Sequence, residues 1–215
     1  MIALPEVVTH RYDPGVGPFP NICALAEIEP MQVLDRLRRE SRPTLKPDYL
    51  IRRHSTERWL AEAAPKALGR NFEQRPAYFF LGDFSHLMDL SRPAALVVPL
   101  STLPPDSISF TLGDSMSVAE QPGRRVYTLD EIAALFLAGH VVSGFGTSDR
   151  LGFQARFVEV QLWGRLAGFL RGCALFGMRY KSGKARVAME RLQIRVGFDR
   201  EIGLGCQSVV NSLSQ

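Results

Sequence analysis

The stretch that decides the fold runs from Arg156 to Trp163 and reads R-F-V-E-V-Q-L-W. Its aromatic and β-branched residues favour a pleated, half-buried strand, and polar residues alternate with apolar ones at period two. Glu159 is therefore expected on the opposite strand face from Val158 and Val160. A carboxylate on that face is either solvated or lines a cleft in which it does chemistry, and the local pattern leaves both readings open.

The composition of the 215-residue chain is that of a globular protein, with 46% hydrophobic and 22% charged residues, which excludes wholesale disorder. We predict one domain over residues 1–215, with the core motifs in 1–163 and a basic C-terminal part in 164–215. No apolar run reaches the roughly 18 residues of a membrane span, and the first residues lack the features of a secretion signal. Because the three cysteines are scattered, as in a reducing compartment, we expect a cytoplasmic protein without a membrane partner.

Positive charge concentrates in the C-terminal part of the chain. Between residues 165 and 200, nine Lys or Arg residues stand against two acidic residues. Such an excess suits an anionic partner such as nucleic acid or a nucleotide phosphate. It is equally typical of a solvated basic surface, and no aromatic-interleaved nucleic-acid motif accompanies it.

Strand and helix patterns are mixed along the rest of the chain. The patterns predict further strands at 7–12, 77–81, 94–100, 107–112 and 193–198, a loop at 141–153 and helix at 187–192. They predict helices that begin near Pro30, near Pro47 and at Thr128, which forms a capping box with Glu131. The charged side of the second helix, which includes Glu57, is expected to be solvated. Because there is no regular βαβ repeat, the predicted fold class is α+β.

Residue spacing excludes several kinds of site. The four histidines are dispersed without the short regular spacing of metal ligands, so no metal site is predicted. The chain also contains no nucleophile elbow, C-x-x-C pair, P-loop or G-x-G-x-x-G fingerprint, so hydrolase, kinase and Rossmann readings lose support. Three polar residues on predicted strands remain as candidates: His10, Tyr78 and Glu159.

The order of these three residues resembles the ADP-ribosyltransferase fold of the H-Y-E kind. The motifs are T-H-R-Y with His10, P-A-Y-F-F-L with Tyr78, and R-F-V-E-V-Q-L-W with Glu159. The chain also resembles DarT-type DNA ADP-ribosyltransferase toxins, through the segment led by Asn21 and the phrase F-T-L-G-D-S at 110–115. The resemblance implies an α+β fold with a split, mainly antiparallel sheet flanked by helices.

The resemblance also implies an activity, the transfer of ADP-ribose from NAD to a macromolecular acceptor. The protein would act as a bacterial toxin or defence-type enzyme that an antitoxin or immunity protein could restrain, with NAD as substrate and no metal. The basic 165–200 region would be available to the acceptor, which would be nucleic acid or, as the alternative, a protein. Glu159 would stabilise the oxocarbenium-like ribose, and Tyr78 would border the nicotinamide, unless a register shift by one puts Phe79 or Phe80 there.

The other NAD contacts follow from the same resemblance. His10 would hydrogen-bond the adenosine-side ribose, with Arg11 as the alternative first-strand residue and Asn21 beside it. Arg53, or one of the arginines at positions 52 and 58 on the same helix, would meet the pyrophosphate, because a guanidinium pairs with phosphate oxygens in a forked geometry.

The chain departs from the family pattern at two places. The loop between His10 and Asn21 is longer than in the family, and Gln161 follows Glu159 whereas Phe157 precedes it at the position that usually reads the acceptor. The identity of the target is therefore not implied. Two other function classes remain, namely a non-catalytic nucleic-acid-binding or partner-binding domain that uses the 165–200 region, and a catalytically inactive relative of the transferase fold.

Overall fold

The computed structural model describes residues 3–13, 21–24, 28–40, 46–87, 92–140, 158–164 and 195–198. The loop predicted at 141–153, the helix at 187–192 and most of the basic region lie outside these ranges. The elements in chain order are β1 (Val7–Tyr12), α1 (Ile28–Glu40), α2 (Tyr49–Leu68), β2 (Ala77–Leu81), β3 (Ala94–Pro99), β4 (Ile108–Thr111), α3 (Ser115–Val118), α4 (Leu129–Leu137), β5 (Glu159–Leu162) and β6 (Arg195–Phe198). Short 3-10 helices occupy Ile22–Ala24, Leu100–Thr102 and Pro105–Ser107.

The six strands form one sheet in the order β4-β5-β2-β1-β3-β6, and each neighbouring pair is antiparallel. This arrangement confirms the prediction of an α+β fold at the coarse level. The capping box at the start of α4 is also confirmed, because the Thr128 side chain accepts from the Glu131 backbone while the Glu131 side chain accepts from the Thr128 backbone.

The apolar face of the sheet carries the main hydrophobic core. Phe79 on β2 pairs with Val160 on β5, which pairs with Phe110 on β4. Successive strand residues point to opposite faces, so these three side chains lie on the same side of the sheet. Ile132 and Phe136 of α4 are buried in the same cluster. Helix α4 therefore covers this face.

The opposite, polar face of the sheet carries Tyr78, Glu159 and Gln161. Tyr78 pairs with Gln161, and Glu159 lies two residues before Gln161 on the same strand. Helix α2 packs on this side, where its Leu60 and Ala64 form a smaller cluster with Trp163. The sheet is thus enclosed by α2 on its polar face and by α4 on its apolar face.

The centre of the sheet has a short ladder between β1 and β2. Their register joins Val8 to Leu81 and Thr9 to Phe80, whereas β1 pairs with β3 along its whole length. Beyond Thr9, the imidazole Nδ1 of His10 lies 2.7 Å from the backbone carbonyl oxygen of Tyr78. A carbonyl oxygen accepts, so Nδ1 is the donor. The His10 side chain thus bonds a backbone carbonyl of β2 that lies beyond the two residue pairs joining β1 and β2.

We predict that His10 makes the fold sensitive to acid. Burial lowers the pKa of His10 from 6.5 to about 4, the positive charge of Arg92 contributes in the same direction, and the bond to the Tyr78 carbonyl opposes both. Stability from neutral His10 is therefore present above pH 6.5 and is lost as the pH falls toward 4, by up to about 3 kcal/mol. His10→Asn keeps an N–H donor without a titrating ring, so denaturant unfolding should show a weaker loss of stability between pH 6.5 and 4. Equal losses in both proteins would exclude His10 as the cause.

Candidate active site

Glu159 is buried at the start of β5, with 7% of its surface exposed. It lies opposite Phe80 on β2 and Thr111 on β4, on the face turned toward α2. Its Oε1 accepts a hydrogen bond of 3.1 Å from Gln161 Nε2. As predicted from the period-two pattern, it lies on the opposite face from Val160. The Glu159 side chain is enclosed, so the reading of this face as solvated is wrong at Glu159.

The pKa of Glu159 is raised from 4.5 to about 7. The main cause is burial, which removes water from the carboxylate, and the negative charge of Asp114 adds to it. The positive charge of Arg53 and the polar groups of Ser115 and Gln161 oppose the rise. Near neutral pH the group therefore exists in both protonation states, which suits a carboxyl that exchanges a proton during a reaction.

Two residues at the start of α3 stand beside Glu159. Asp114 caps α3, since its Oδ1 accepts from the backbone N–H of Met116 at 2.8 Å and of Ser117 at 3.3 Å. The Ser115 hydroxyl is fully buried and has no partner of normal hydrogen-bond geometry within the described part of the chain. It is nevertheless close enough to favour the charged form of Glu159.

A second buried carboxylate, Glu57 on α2, organises the other side of the site. Its side chain is 1% exposed and accepts from Tyr78 Oη at 2.6 Å, Arg53 Nη2 at 3.0 Å, Asn21 Nδ2 at 3.3 Å and Arg75 Nη1 at 3.4 Å. A buried charge is tolerated when it is paired and hydrogen-bonded in this way. The same bonds fix Tyr78 and Arg53, whose guanidinium carbon lies 4.2 Å from the centroid of the tyrosine ring.

Arg53 is a permanent cation between the two carboxylates. Burial alone would lower the pKa of Arg53, but the Tyr78 phenol and the carboxylates of Glu57 and Glu159 outweigh burial and raise it. The pKa of Tyr78 is raised well above its usual value, mainly by burial, with Arg53 opposing and the two glutamates adding to the rise. At neutral pH the site thus combines a fixed guanidinium, a neutral phenol and a carboxyl group that titrates.

The structure brings four of the predicted site residues into one neighbourhood. Tyr78 and Arg53 lie between Glu57 and Glu159, and Asn21 joins them through Glu57. The other arginine candidates of α2 lie elsewhere, since Arg52 pairs with Glu120 at 2.5 Å and Arg58 is exposed.

His10 and Arg11 lie outside this neighbourhood. Thr9 is in register with Phe80 on the polar face, so strand alternation turns His10 to the apolar face, where its ring packs against Phe79. The His10 side chain thus lies on the opposite face from the side chains of Tyr78 and Glu159, although its Nδ1 bonds the Tyr78 backbone carbonyl, and this corrects the expectation that the three side chains share one site. Arg11 donates to the backbone carbonyls of residues 84, 85 and 92, so its guanidinium binds the segments that follow β2 and precede β3.

Sequence reasoning missed Glu57 and Gln161. The expectation of a solvated charged side on α2 is wrong at Glu57, which is 3% exposed. The four-residue spacing of Arg53 and Glu57 indicated an ion pair on the helix, but no local signal showed that β2 would cover this pair. Gln161 lies two residues after Glu159 in the strand pattern. This spacing predicted that the two side chains share a face, but not that they form a hydrogen bond.

Comparisons of the chain with protein-family models, curated proteins and solved structures returned no significant match. Among the described residues, no three His, Cys, Asp or Glu side chains are grouped so that they could hold a metal ion. No helix in the described part is both long and apolar enough to cross a membrane. The function is therefore argued from the geometry of the site.

We predict that Glu159→Gln stabilises the fold in a pH-dependent way. Because the folded-state pKa of Glu159 is raised from 4.5 to about 7, stability is lost as the pH rises through this interval, by about 3 kcal/mol. Relative to wild type, Glu159→Gln should therefore be more stable at pH 8 than at pH 4.5 by about this amount in denaturant unfolding. Glu62→Gln, on the exposed side of α2, is the control and should show no such dependence. A pH-independent difference for Glu159→Gln would contradict the prediction.

Proposed function

We propose that the protein transfers ADP-ribose from NAD to a macromolecular acceptor, with Glu159 as the catalytic carboxylate. The observation that carries the proposal is the enclosed Glu159 carboxyl, with a pKa of about 7, beside Arg53 and Tyr78 on one face of an antiparallel sheet. The ordered motifs that resemble ADP-ribosyltransferases support the same assignment, as does the α+β architecture.

The chemistry of the reaction suits the state of Glu159. When the bond between ribose and nicotinamide breaks, its electron pair leaves with the nicotinamide and positive charge develops on the ribose. An ionised carboxylate in an enclosed site stabilises that charge. The nicotinamide ring of NAD is itself cationic, so its binding beside Glu159 would favour the ionised carboxylate. The bond to the acceptor then forms on the ribose, and the acceptor proton passes to a base, for which a carboxylate with a pKa near 7 is suited.

Arg53 and Tyr78 are the proposed NAD contacts on α2 and β2. Arg53 is held by Glu57 through one nitrogen, and its remaining N–H groups suit the pyrophosphate. Tyr78 offers an aromatic wall for the nicotinamide, and its hydroxyl is fixed by Glu57. We do not assign the adenosine-side ribose to His10, because that side chain lies on the apolar face.

Nucleic acid is the acceptor class that we propose. The support is the sequence alone, since nine basic residues stand against two acidic ones between residues 165 and 200, and such an excess attracts phosphate backbones. In the same proposal, the activity is that of a toxin or defence enzyme, and an antitoxin or immunity protein is the partner that would restrain it.

A non-catalytic binding domain is the second candidate function. The separation of His10 from Glu159 favours it, because the residues that the family resemblance groups around NAD lie on two faces of the sheet. This candidate predicts salt-sensitive binding of nucleic acid through the basic region and no consumption of NAD.

We predict that label transfer from NAD depends on Glu159. The protein is incubated with NAD labelled on its adenylate part and with single-stranded DNA, duplex DNA, RNA or protein acceptors. Glu159→Gln keeps the shape of the side chain but not its charge, so transfer should fall by a factor of about 100 or more. Glu62→Gln is the matched control and should retain wild-type transfer.

The outcomes of this experiment separate the two candidates. Transfer that survives Glu159→Gln would remove Glu159 from its proposed role. Absence of NAD binding and turnover in the wild-type protein, together with salt-sensitive nucleic-acid binding, would reject the transferase and support the binding domain.

A further inference from the structure

Behind Glu159, buried side chains of β4, β5 and the residue after β5 form a continuous chain of hydrogen bonds. Trp163 Nε1 lies 2.9 Å from Ser109 Oγ, Ser109 Oγ lies 2.9 Å from Gln161 Oε1, and Gln161 Nε2 lies 3.1 Å from Glu159 Oε1. Ser109 and Gln161 are fully buried and Trp163 is 2% exposed. Ser109 and Gln161 are in register, and Glu159, Gln161 and Trp163 are each two residues apart along the chain. The four side chains therefore lie on the polar face.

The first member of the chain, the Trp163 indole, fixes the role of Ser109 as an acceptor of one hydrogen bond. An indole N–H donates and cannot accept, so Ser109 accepts from Trp163. The hydroxyl has one proton, which Ser109 donates to Gln161. That bond identifies the oxygen of the Gln161 amide, and the NH₂ group must therefore face Glu159. With an ionised Glu159, a flipped amide would turn its oxygen toward the carboxylate, so only this assignment satisfies all three bonds.

A side branch fixes the same orientation. The Gln161 NH₂ group also donates to Thr111 Oγ1 at 3.1 Å, and Thr111 donates its own proton to the Gly113 carbonyl at 2.9 Å. Thr111 can therefore accept from Gln161 but has no proton left to donate to it. A flipped amide would lose this bond and would turn its oxygen toward the Glu159 carboxylate.

We propose that Gln161 is a positioning residue for Glu159, held in its donating orientation by Ser109 and Trp163. The direction of the hydrogen bonds is independent of the reaction, whereas the catalytic consequence rests on the proposed function. By donating to Oε1, Gln161 fixes the plane of the carboxyl group and stabilises its charged form. Trp163 thus acts on Glu159 through two intervening side chains, although it belongs to the cluster that packs under α2.

Other charged and polar groups also face Glu159. Arg53 faces it from α2, Asp114 and Ser115 from the start of α3, and Tyr78 from β2. These groups also influence the pKa of Glu159. Substitutions at Trp163, Ser109 or Gln161 do not remove any of them. A change in the Glu159 titration upon alteration of the chain from Trp163 to Gln161 therefore reports on that chain itself.

The test is a carbon-13 NMR titration of the Glu159 carboxyl in the full-length protein, with its signal assigned by its loss in Glu159→Gln. Gln161→Leu should raise the pKa of Glu159 by about one to two units, because a hydrogen bond to the charged form is lost. Trp163→Phe should raise it by less, since the Ser109 hydroxyl then loses its fixed orientation while the Thr111 branch still holds the Gln161 amide. Combining the two substitutions should give no further rise beyond Gln161→Leu alone, because Trp163 acts through Gln161.

Trp59→Phe is the matched control. The Trp59 ring lies on α2 under the guanidinium of Arg124, so this substitution should leave the Glu159 titration unchanged. Should Gln161→Leu not fold, Ser109→Ala gives the same test, because it releases the Gln161 carbonyl and should also be non-additive with Trp163→Phe. In the active protein, the pH midpoint of kcat/KM for NAD should move upward with the NMR midpoint.

Equal shifts from Trp163→Phe with and without Gln161 would overturn the proposal, since Trp163 would then act by packing. An unchanged or lowered pKa in Gln161→Leu would also overturn it. Non-additive NMR shifts in a protein that does not turn over NAD would support the positioning chain and reject the proposed function, so the two can fail separately.

Discussion

A carboxylate that is taken out of water must be held by groups of the protein, and this constraint organises the polar face of the sheet. Removing an ion from water costs several kcal/mol even in real proteins. Two carboxyl groups are buried here, Glu159 on the sheet and Glu57 on α2, which packs on this face. Glu57 is compensated by four donors from three parts of the chain. Glu159 accepts from Gln161, and burial raises its pKa to about 7.

The two faces of the sheet differ in the side chains that they bury. The apolar face buries the strand side chains against α4 in the main core, and burial of apolar surface is the dominant favourable term in folding. The polar face places a guanidinium, a phenol and a titrating carboxyl close together, which is unfavourable unless their geometry is fixed. Such sites are where proteins depart from the most stable choice of residue. The apolar face thus stabilises the sheet on which these polar groups are held.

Much of the fold was predictable because its signals are local. The aromatic run at 77–81, the alternation at 156–163 and the capping box of Thr128 each depend on residues that are close in sequence, and the structure shows the corresponding elements. The sheet order and register depend on pairing between distant strands, for which the sequence contains no local signal.

The lack of a local signal for strand pairing also explains which site predictions were wrong. The face on which His10 lies is decided by the pairing of Thr9 with Phe80, so the order of motifs along the chain could not determine it. The burial of Glu57 depends on Tyr78, which lies 21 residues further along the chain. The face on which Glu159 lies was predictable, because alternation within one strand separates it from the apolar core side chains.

In the proposed function, the cationic nicotinamide of NAD binds beside the enclosed Glu159 carboxylate, and titration of this carboxyl with and without NAD tests that placement. A positive charge within a few ångströms favours the ionised carboxylate. We therefore expect saturating NAD to lower the pKa of Glu159 from its value near 7 by about one unit or more. An unchanged or raised pKa of Glu159 in the saturated complex would contradict the binding of the nicotinamide beside this carboxylate.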